Sequence, residues 1–269
     1  MSLPKPTISI NVDPTNPGQF FACCGLLELA DRLWPSSFVE GWFENNDQRF
    51  CLSGTEPLAE LIQKIANTTV SLLDEDDVYS GRVTIGIGSP SFVLDWWHEA
   101  GGRADAKDLK VWAGQMQSAR IAQAMQHAMR DERFGAPGFL NVGLIVYEPG
   151  DPNKKVEPYY FDARRAPNAH SRDVGFSAND LSLTTTAFPA VEFLCLVGLQ
   201  RCLPVRNGHT RIYDYCTWTE PMVPALLPAA VSGNLSRGKN RGYRFENWFR
   251  TGQRKHKAFR SATPISTGD

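Results

Sequence analysis

Arg164, Arg165, Asn168, His170 and Arg172 crowd the stretch YYFDARRAPNAHSRDVGFSAND, residues 159–180. Arg presents a planar fork that matches guanine O6 and N7, and Asn matches adenine N6 and N7. Arg also pairs readily with phosphate. A loop holding both residue types suits contact with base edges or with a nucleic-acid backbone. The same residues have an alternative, local role. Arg164 or Arg165 can pair with Asp162 or Asp173 and pin the loop.

A second group lies in LPVRNGHTRIYDYCTW (203–218), where Arg206, His209 and Arg211 flank the Asn207-Gly208 turn at the start of a strand. An unperturbed imidazole titrates near neutrality, which makes His209 the candidate for a general base, while a surface position beside a turn asks nothing more of it. No nucleophile elbow or phosphate loop accompanies it.

The third group is SRGKNRGYRFENWFRTGQRKHKAFR (236–260). Residues 237–260 carry nine Lys and Arg against the single Glu246. Arg237, Lys239, Arg241, Arg244, Lys255 and Lys257 are its candidate phosphate contacts. Tyr243, Phe245, Trp248, Phe249 and Phe259 are interleaved with them and offer faces on which unpaired bases stack. About four phosphate contacts would make log affinity fall with log salt at a slope of roughly −3 to −4. A packed last strand with a solvated basic face is the alternative, and the two readings are compatible.

Six cysteines stand at 23, 24, 51, 195, 202 and 216, without zinc-site spacing, and the five His are scattered. No metal, cofactor or catalytic residue is expected. Cys23 and Cys24 lie inside TNPGQFFACCGLLELADRLW (15–34), with no basic residue before Arg32 to stabilise a thiolate. Cys23 is expected in the core and Cys24 beneath a neighbouring element, on a helix buried from two sides.

These residues need a scaffold. TISINV (7–12) alternates like a half-buried strand. Asn16 as cap and Pro17 at the first position start a helix that stops at Pro35. FVEGWFE (38–44) and QRFCLSG (48–54) read as strands about the turn Asn45-Asn46-Asp47. TEPLAELIQKIA (55–66) reads as a helix with a Thr cap, and RVTIGIG (82–88) as a strand. The order β-α-β-β-α-β predicts an α+β protein opening with a ferredoxin-like, split β-α-β unit. Helices over 106–134 and 187–203, and strands over 139–148 and 210–218, predict a mixed helix and antiparallel-strand region after it. The divisions are residues 1–100, 101–231 and a basic, aromatic-rich segment, 232–269.

The formal net charge of the 269 residues is −1, but residues 1–100 hold 14 acids and 5 bases while residues 101–269 hold 15 and 23. An acidic front half suits a protein partner and a basic back half a polyanion. No run of about 18 apolar residues predicts a membrane span, and a cytoplasmic protein is expected.

NVDPTNPGQFFACCGLLELADRLWP (11–35), FDARRAPNAHSRDVGFS (161–177) and RIYDYCTWTEPMVPALLP (211–228) together resemble a small family of CRISPR-associated proteins of subtype I-G (formerly I-U) systems. That family is regarded as a compact large subunit of the Cascade surveillance complex. The resemblance spreads over most of the chain and brings no catalytic motif. It implies a non-enzymatic subunit working with guide RNA, target DNA, backbone subunits and a helicase-nuclease, and reading the short motif (PAM) beside the target. A guide-RNA-processing endoribonuclease using His170 or His209 as base is the competing expectation. A scaffold with an incidental basic segment is the third.

Overall fold

The computed structural model describes residues 3–99, 101, 106–112, 116–166, 186–208, 211–235, 240–249 and 257–266. Asn16 caps helix α1 (Pro17–Leu33), its side-chain oxygen accepting the Gly18 N–H at 3.1 Å. Every residue of α1 from Pro17 to Ala30 is buried, which leaves it no solvent face. Helix α4 (Pro189–Arg201) likewise begins with Pro and is buried through Leu199. A helix apolar all round must be enclosed by protein, and these two pack along each other.

Strands β1 (Ile8–Asn11), β2 (Glu40–Glu44) and β3 (Arg49–Ser53) form an antiparallel sheet in the order β1-β3-β2. The hairpin turn between β2 and β3 places Asn45, Asn46 and Asp47 at positive φ, which Asn and Asp tolerate best among side-chain-bearing residues. With α1 as the crossover, this is the split β-α-β order. The expected fourth strand does not join it. Helix α2 (Leu58–Ala66) leads to β4 (Val70–Leu72), which pairs with β5 (Val83–Ile85), and β5 with β6 (Phe92–Leu94), in a separate sheet. The 82–88 strand is therefore the middle of a second meander. Helix α2 also starts later than read, after Pro57, without a side-chain cap.

The single helix expected over 106–134 is broken. Ala106–Leu109 is a 3-10 turn, α3 covers Ser118–Ala128, and Glu132–Gly135 is another 3-10 turn. Trp112 is drawn into a ring cluster with Trp97 at 5.1 Å and Tyr159 at 4.8 Å. The strand expected over 139–148 shrinks to β7 (Tyr147–Glu148), paired with β8 (Asp151–Lys155), because Phe139–Asn141 turns as a 3-10 helix.

The back half supplies a five-stranded sheet. Strands β9 (Val205–Arg206), β10 (Ile212–Cys216), β11 (Gly242–Phe249) and β12 (Lys257–Phe259) follow in the order β12-β11-β10-β9, and β13 (Thr263–Ile265) also pairs with β11. The short helix α5 (Leu227–Val231) precedes β11. The basic segment thus contributes an interior strand, with Tyr243 and Phe245 turned into the core.

This sheet is the second cover of α1. Phe20 stacks on Tyr215 at 4.3 Å and on Phe43 of the first sheet at 5.7 Å. Cys23 and Cys24 are both buried, Cys24 beside Cys195 of α4 and Cys202 at its end, and burial pushes both thiols up. The first sheet is tied in as well. Phe43 N donates to Trp218 O at 2.8 Å, and Trp218 Nε1 donates to Gly41 O at 2.8 Å. No helix among the described residues is long and apolar enough to cross a membrane.

Candidate nucleic-acid interface

The Arg-rich loop begins as a lock. Glu192, in the first turn of α4, is fully buried and accepts the N–H groups of Tyr160, Phe161 and Asp162 at 3.0, 3.2 and 3.1 Å. Tyr160 takes a positive φ of 76° in this clamp. Burial, reinforced by the nearby Asp162 carboxylate, pushes Glu192 up to about 7 despite those three donors. Asp162 in turn accepts from Asn16 Nδ2 at 3.0 Å, so the cap of α1 also fastens the loop. Arg164 closes the assembly. Its Nε and Nη2 grip Asp162 at 2.9 and 2.6 Å, while Nη1 reaches Asn141 Oδ1 at 2.7 Å and Nη2 reaches Leu140 O at 2.9 Å. Its guanidinium also lies 3.5 Å from the Phe188 ring centre. Of the two roles open to Arg164, this geometry is the pin. Arg165 is half-buried, with a buried Nε that has no partner among the described residues. Asn168, His170 and Arg172 lie outside the described residues.

A different group of cations is assembled by the tertiary fold. Sheet pairing carries Arg206 of β9, Arg211 just before β10 and Lys257 of β12 to the turn at Ala106–Leu109. Arg206 Nη2 bonds the Asp108 carboxylate. Lys257 Nζ and Asn247 Nδ2 both donate to the Asp108 carbonyl, at 2.9 and 2.7 Å. Arg211 lies over the Phe249 ring at 4.9 Å, and its carbonyl accepts from Asn247 N. Burial lowers the Lys257 amine from its ordinary value, Asp108 opposes that shift, and Arg211 and Arg206 add to it.

Lys110 extends the group. Its amine bonds the Ser80 hydroxyl and lies 5.0 Å from the Trp112 ring centre. Burial holds it down to about 8, with Lys257 and Lys107 adding repulsion and Asp77 opposing them. Trp97 Nε1 to Ser80 O at 2.7 Å and Trp112 Nε1 to Tyr79 O at 3.2 Å fix the loop on which Lys110 rests. Crowded, partly desolvated cations of this kind, which outnumber Asp108 and Asp77 beside them, gain when a polyanion supplies further counter-charge. Nothing in the sequence marks Lys107 and Lys110, since AKDLK there predicts only the start of a helix.

The remaining candidates sit apart from this group or are tied elsewhere. Arg244 pairs bidentately with Asp214 across β10 and β11 at 2.7 and 2.8 Å. Arg241 donates to Asn46 Oδ1 at 2.7 Å in the β2–β3 turn. Both remain partly exposed, and their first partners are protein groups. Arg237, Lys239, Lys255 and His209 lie outside the described residues. Among the described residues no three His, Cys, Asp or Glu are placed to hold a metal ion. Comparison of the chain with family models, curated proteins and solved structures returns no match.

Proposed function

We propose that this chain is a non-enzymatic, nucleic-acid-binding subunit of a CRISPR type I RNA-guided surveillance (Cascade) complex, contributing to target DNA binding and to reading the flanking motif. The observation that carries the binding role is the convergence of Arg206 and Lys257 on Asp108, with Lys110 and Arg211 close to Lys257. Such a surface neutralises phosphates without demanding a nucleophile. The assignment to a guided complex rests on the family resemblance of residues 11–35, 161–177 and 211–228. We read the β1-β3-β2 order around α1 as the remnant of a ferredoxin-like unit, an arrangement shared by many RNA-binding and CRISPR proteins. Guide RNA, backbone subunits and the helicase-nuclease are the partners this role requires.

The test is a salt titration of binding to a fluorescent DNA duplex. Arg211→Ala and Lys257→Ala should each flatten the log–log salt slope by about one phosphate contact. Unchanged affinity and slope in the double variant would remove the proposed surface and leave a scaffold. Cleavage of repeat RNA that disappears in His170→Ala or His209→Ala would instead establish the endoribonuclease.

A further inference from the structure

Beside the cation group lies a cavity of about 590 Å³. Its size is within the range of roughly 300–1,000 Å³ common to small-ligand sites. Three pieces of chain form it: the end of α4 with the segment into β9, Pro228 of α5 with the residues after that helix, and the loop after β6. Trp96, Leu203, Pro204 and Pro228 give it flat or apolar walls, and Ser232 and Asn234 give it a polar edge. Arg206 belongs to both places, because it lines the cavity and also bonds Asp108.

We infer that this cavity receives one unpaired nucleobase from a nucleic-acid strand whose phosphates lie on the Arg206, Arg211 and Lys257 group. The inference rests on the nucleic-acid-binding role proposed above. Three observations carry it. First, the charge is graded. Gln200 and Arg201 of the lining belong to the last turn of α4, whose carbonyl end bears partial negative charge. The Arg201 guanidinium is already committed to Glu28, at 3.0 Å through Nη2. The interior therefore offers little to a phosphate, while on the other side Arg206, though paired with Asp108, has the cations Lys257 and Arg211 beside it.

Second, the walls suit a flat ring. An extruded base is held between apolar or aromatic surfaces and read along its edge. Leu203, Pro204 and Pro228 supply those surfaces, while Trp96 is almost wholly buried against Trp97 at 5.3 Å and is a fixed part of the lining, with Nε1 donating to Leu196 O at 3.0 Å and its backbone N–H to Gln200 Oε1 at 3.1 Å. Third, the polar edge has capacity to spare. Asn234 Nδ2 donates to the Ser232 hydroxyl at 2.9 Å, and the Asn234 side-chain oxygen has no partner among the described residues. That oxygen can accept from an exocyclic amino group, which adenine, cytosine and guanine carry and thymine lacks.

A free mononucleotide shares this chemistry, so the test separates the two sources. A short single-stranded DNA oligonucleotide is scanned with one abasic residue at each position against the wild-type chain. One position should cost about tenfold in affinity, the scale of a single stacked base. The exposed residue Asn234 is then changed to Trp to fill the cavity. Asn234→Trp should bind the intact oligonucleotide about tenfold more weakly, keep the wild-type salt slope, and become indifferent to the abasic position. Even abasic costs along the whole strand, or an Asn234→Trp chain that binds like wild type, would overturn the inference and leave the phosphate surface standing. AMP or GMP competing as strongly as the oligonucleotide would overturn the strand-borne base in favour of a free nucleotide. An oligonucleotide that shows no salt-dependent binding to wild type would overturn both the inference and the proposed function.

Discussion

Gly25 of α1 and Gly198 of α4 meet where the two buried helices cross. A Cβ on Gly25 would lie 2.0 Å from Leu194 O, and one on Gly198 would lie 1.9 Å from Phe21 O. Both obstacles are backbone, so no side chain can rotate away, and the helices would have to part. Because α1 is also wedged between two sheets, parting them disturbs every layer. Gly198→Ala is expected to destabilise by about 3 kcal/mol, the upper end of ordinary overpacking. Gly138→Ala, with nothing within 4 Å of the new Cβ, is the control and should stay within about 0.5 kcal/mol. Urea unfolding of the three chains decides, and equal midpoints would refute the close-crossing account.

Arg164 shows how a basic residue near a candidate site can be occupied elsewhere. Its partner Asp162 is wholly buried, and removing the guanidinium leaves that carboxylate with the Asn16 amide and the backbone N–H of residue 164. Breaking a buried pair from one side costs about 3–5 kcal/mol, and the partly exposed Arg164 places this case near about 3. Arg164→Ala should therefore unfold at lower urea while retaining the wild-type salt slope for DNA. A flattened slope without lost stability would return Arg164 to the interface.

The helix of the paired cysteines was legible because its signals are local: Asn16 and Pro17 at one end, Pro35 at the other, and an apolar run between. The same holds for α4, β10 and the Asn45–Asp47 turn. What sequence could not supply was partnership at long range. Strand 82–88 was recognised, but its pairing with β4 and β6 instead of β1 depends on short strands with little alternation of their own. The cation group escaped for the same reason. Arg206 and Lys257 were candidates on separate segments, and only the fold brings both to Asp108. Lys110 carries no signal of its own, since its significance comes from Ser80, Trp112 and Lys257 around it.

Glu192 makes folding sensitive to pH. Its folded-state carboxyl is raised from 4.5 to about 7, so the native state holds this proton more tightly than the unfolded chain does. Its contribution to stability is complete below about pH 4.5 and is lost as pH rises through about 7. The carboxylates held low by partners, Glu28 among them, act in the opposite sense at more acidic pH, so the comparison must be made against a variant. Glu192→Gln cannot ionise. The stability advantage of wild type over Glu192→Gln should shrink by about 2 kcal/mol between about pH 5.5 and pH 8. Urea unfolding of both chains across that range measures it, and parallel pH profiles would exclude Glu192 as the source.

Lys110 makes the corresponding prediction for binding. In the free protein its amine is held near 8 by burial and by the neighbouring Lys257 and Lys107, with Asp77 opposing them. A phosphate placed on the group favours the charged amine, so binding draws in a proton, and affinity falls as pH climbs past about 8. At pH 8 the uptake should approach about half a proton per chain. Calorimetric titration of a DNA duplex in buffers of different ionisation enthalpy reads this number directly. Lys110→Met should reduce the uptake, weaken the pH dependence between about pH 7 and 9, and remove about one phosphate contact from the salt slope. Uptake that is absent in wild type, or unaltered in Lys110→Met, would show that the bound phosphates do not reach the turn at Ala106–Leu109. Lys110 would then be a buried base held by Ser80 for structural reasons alone.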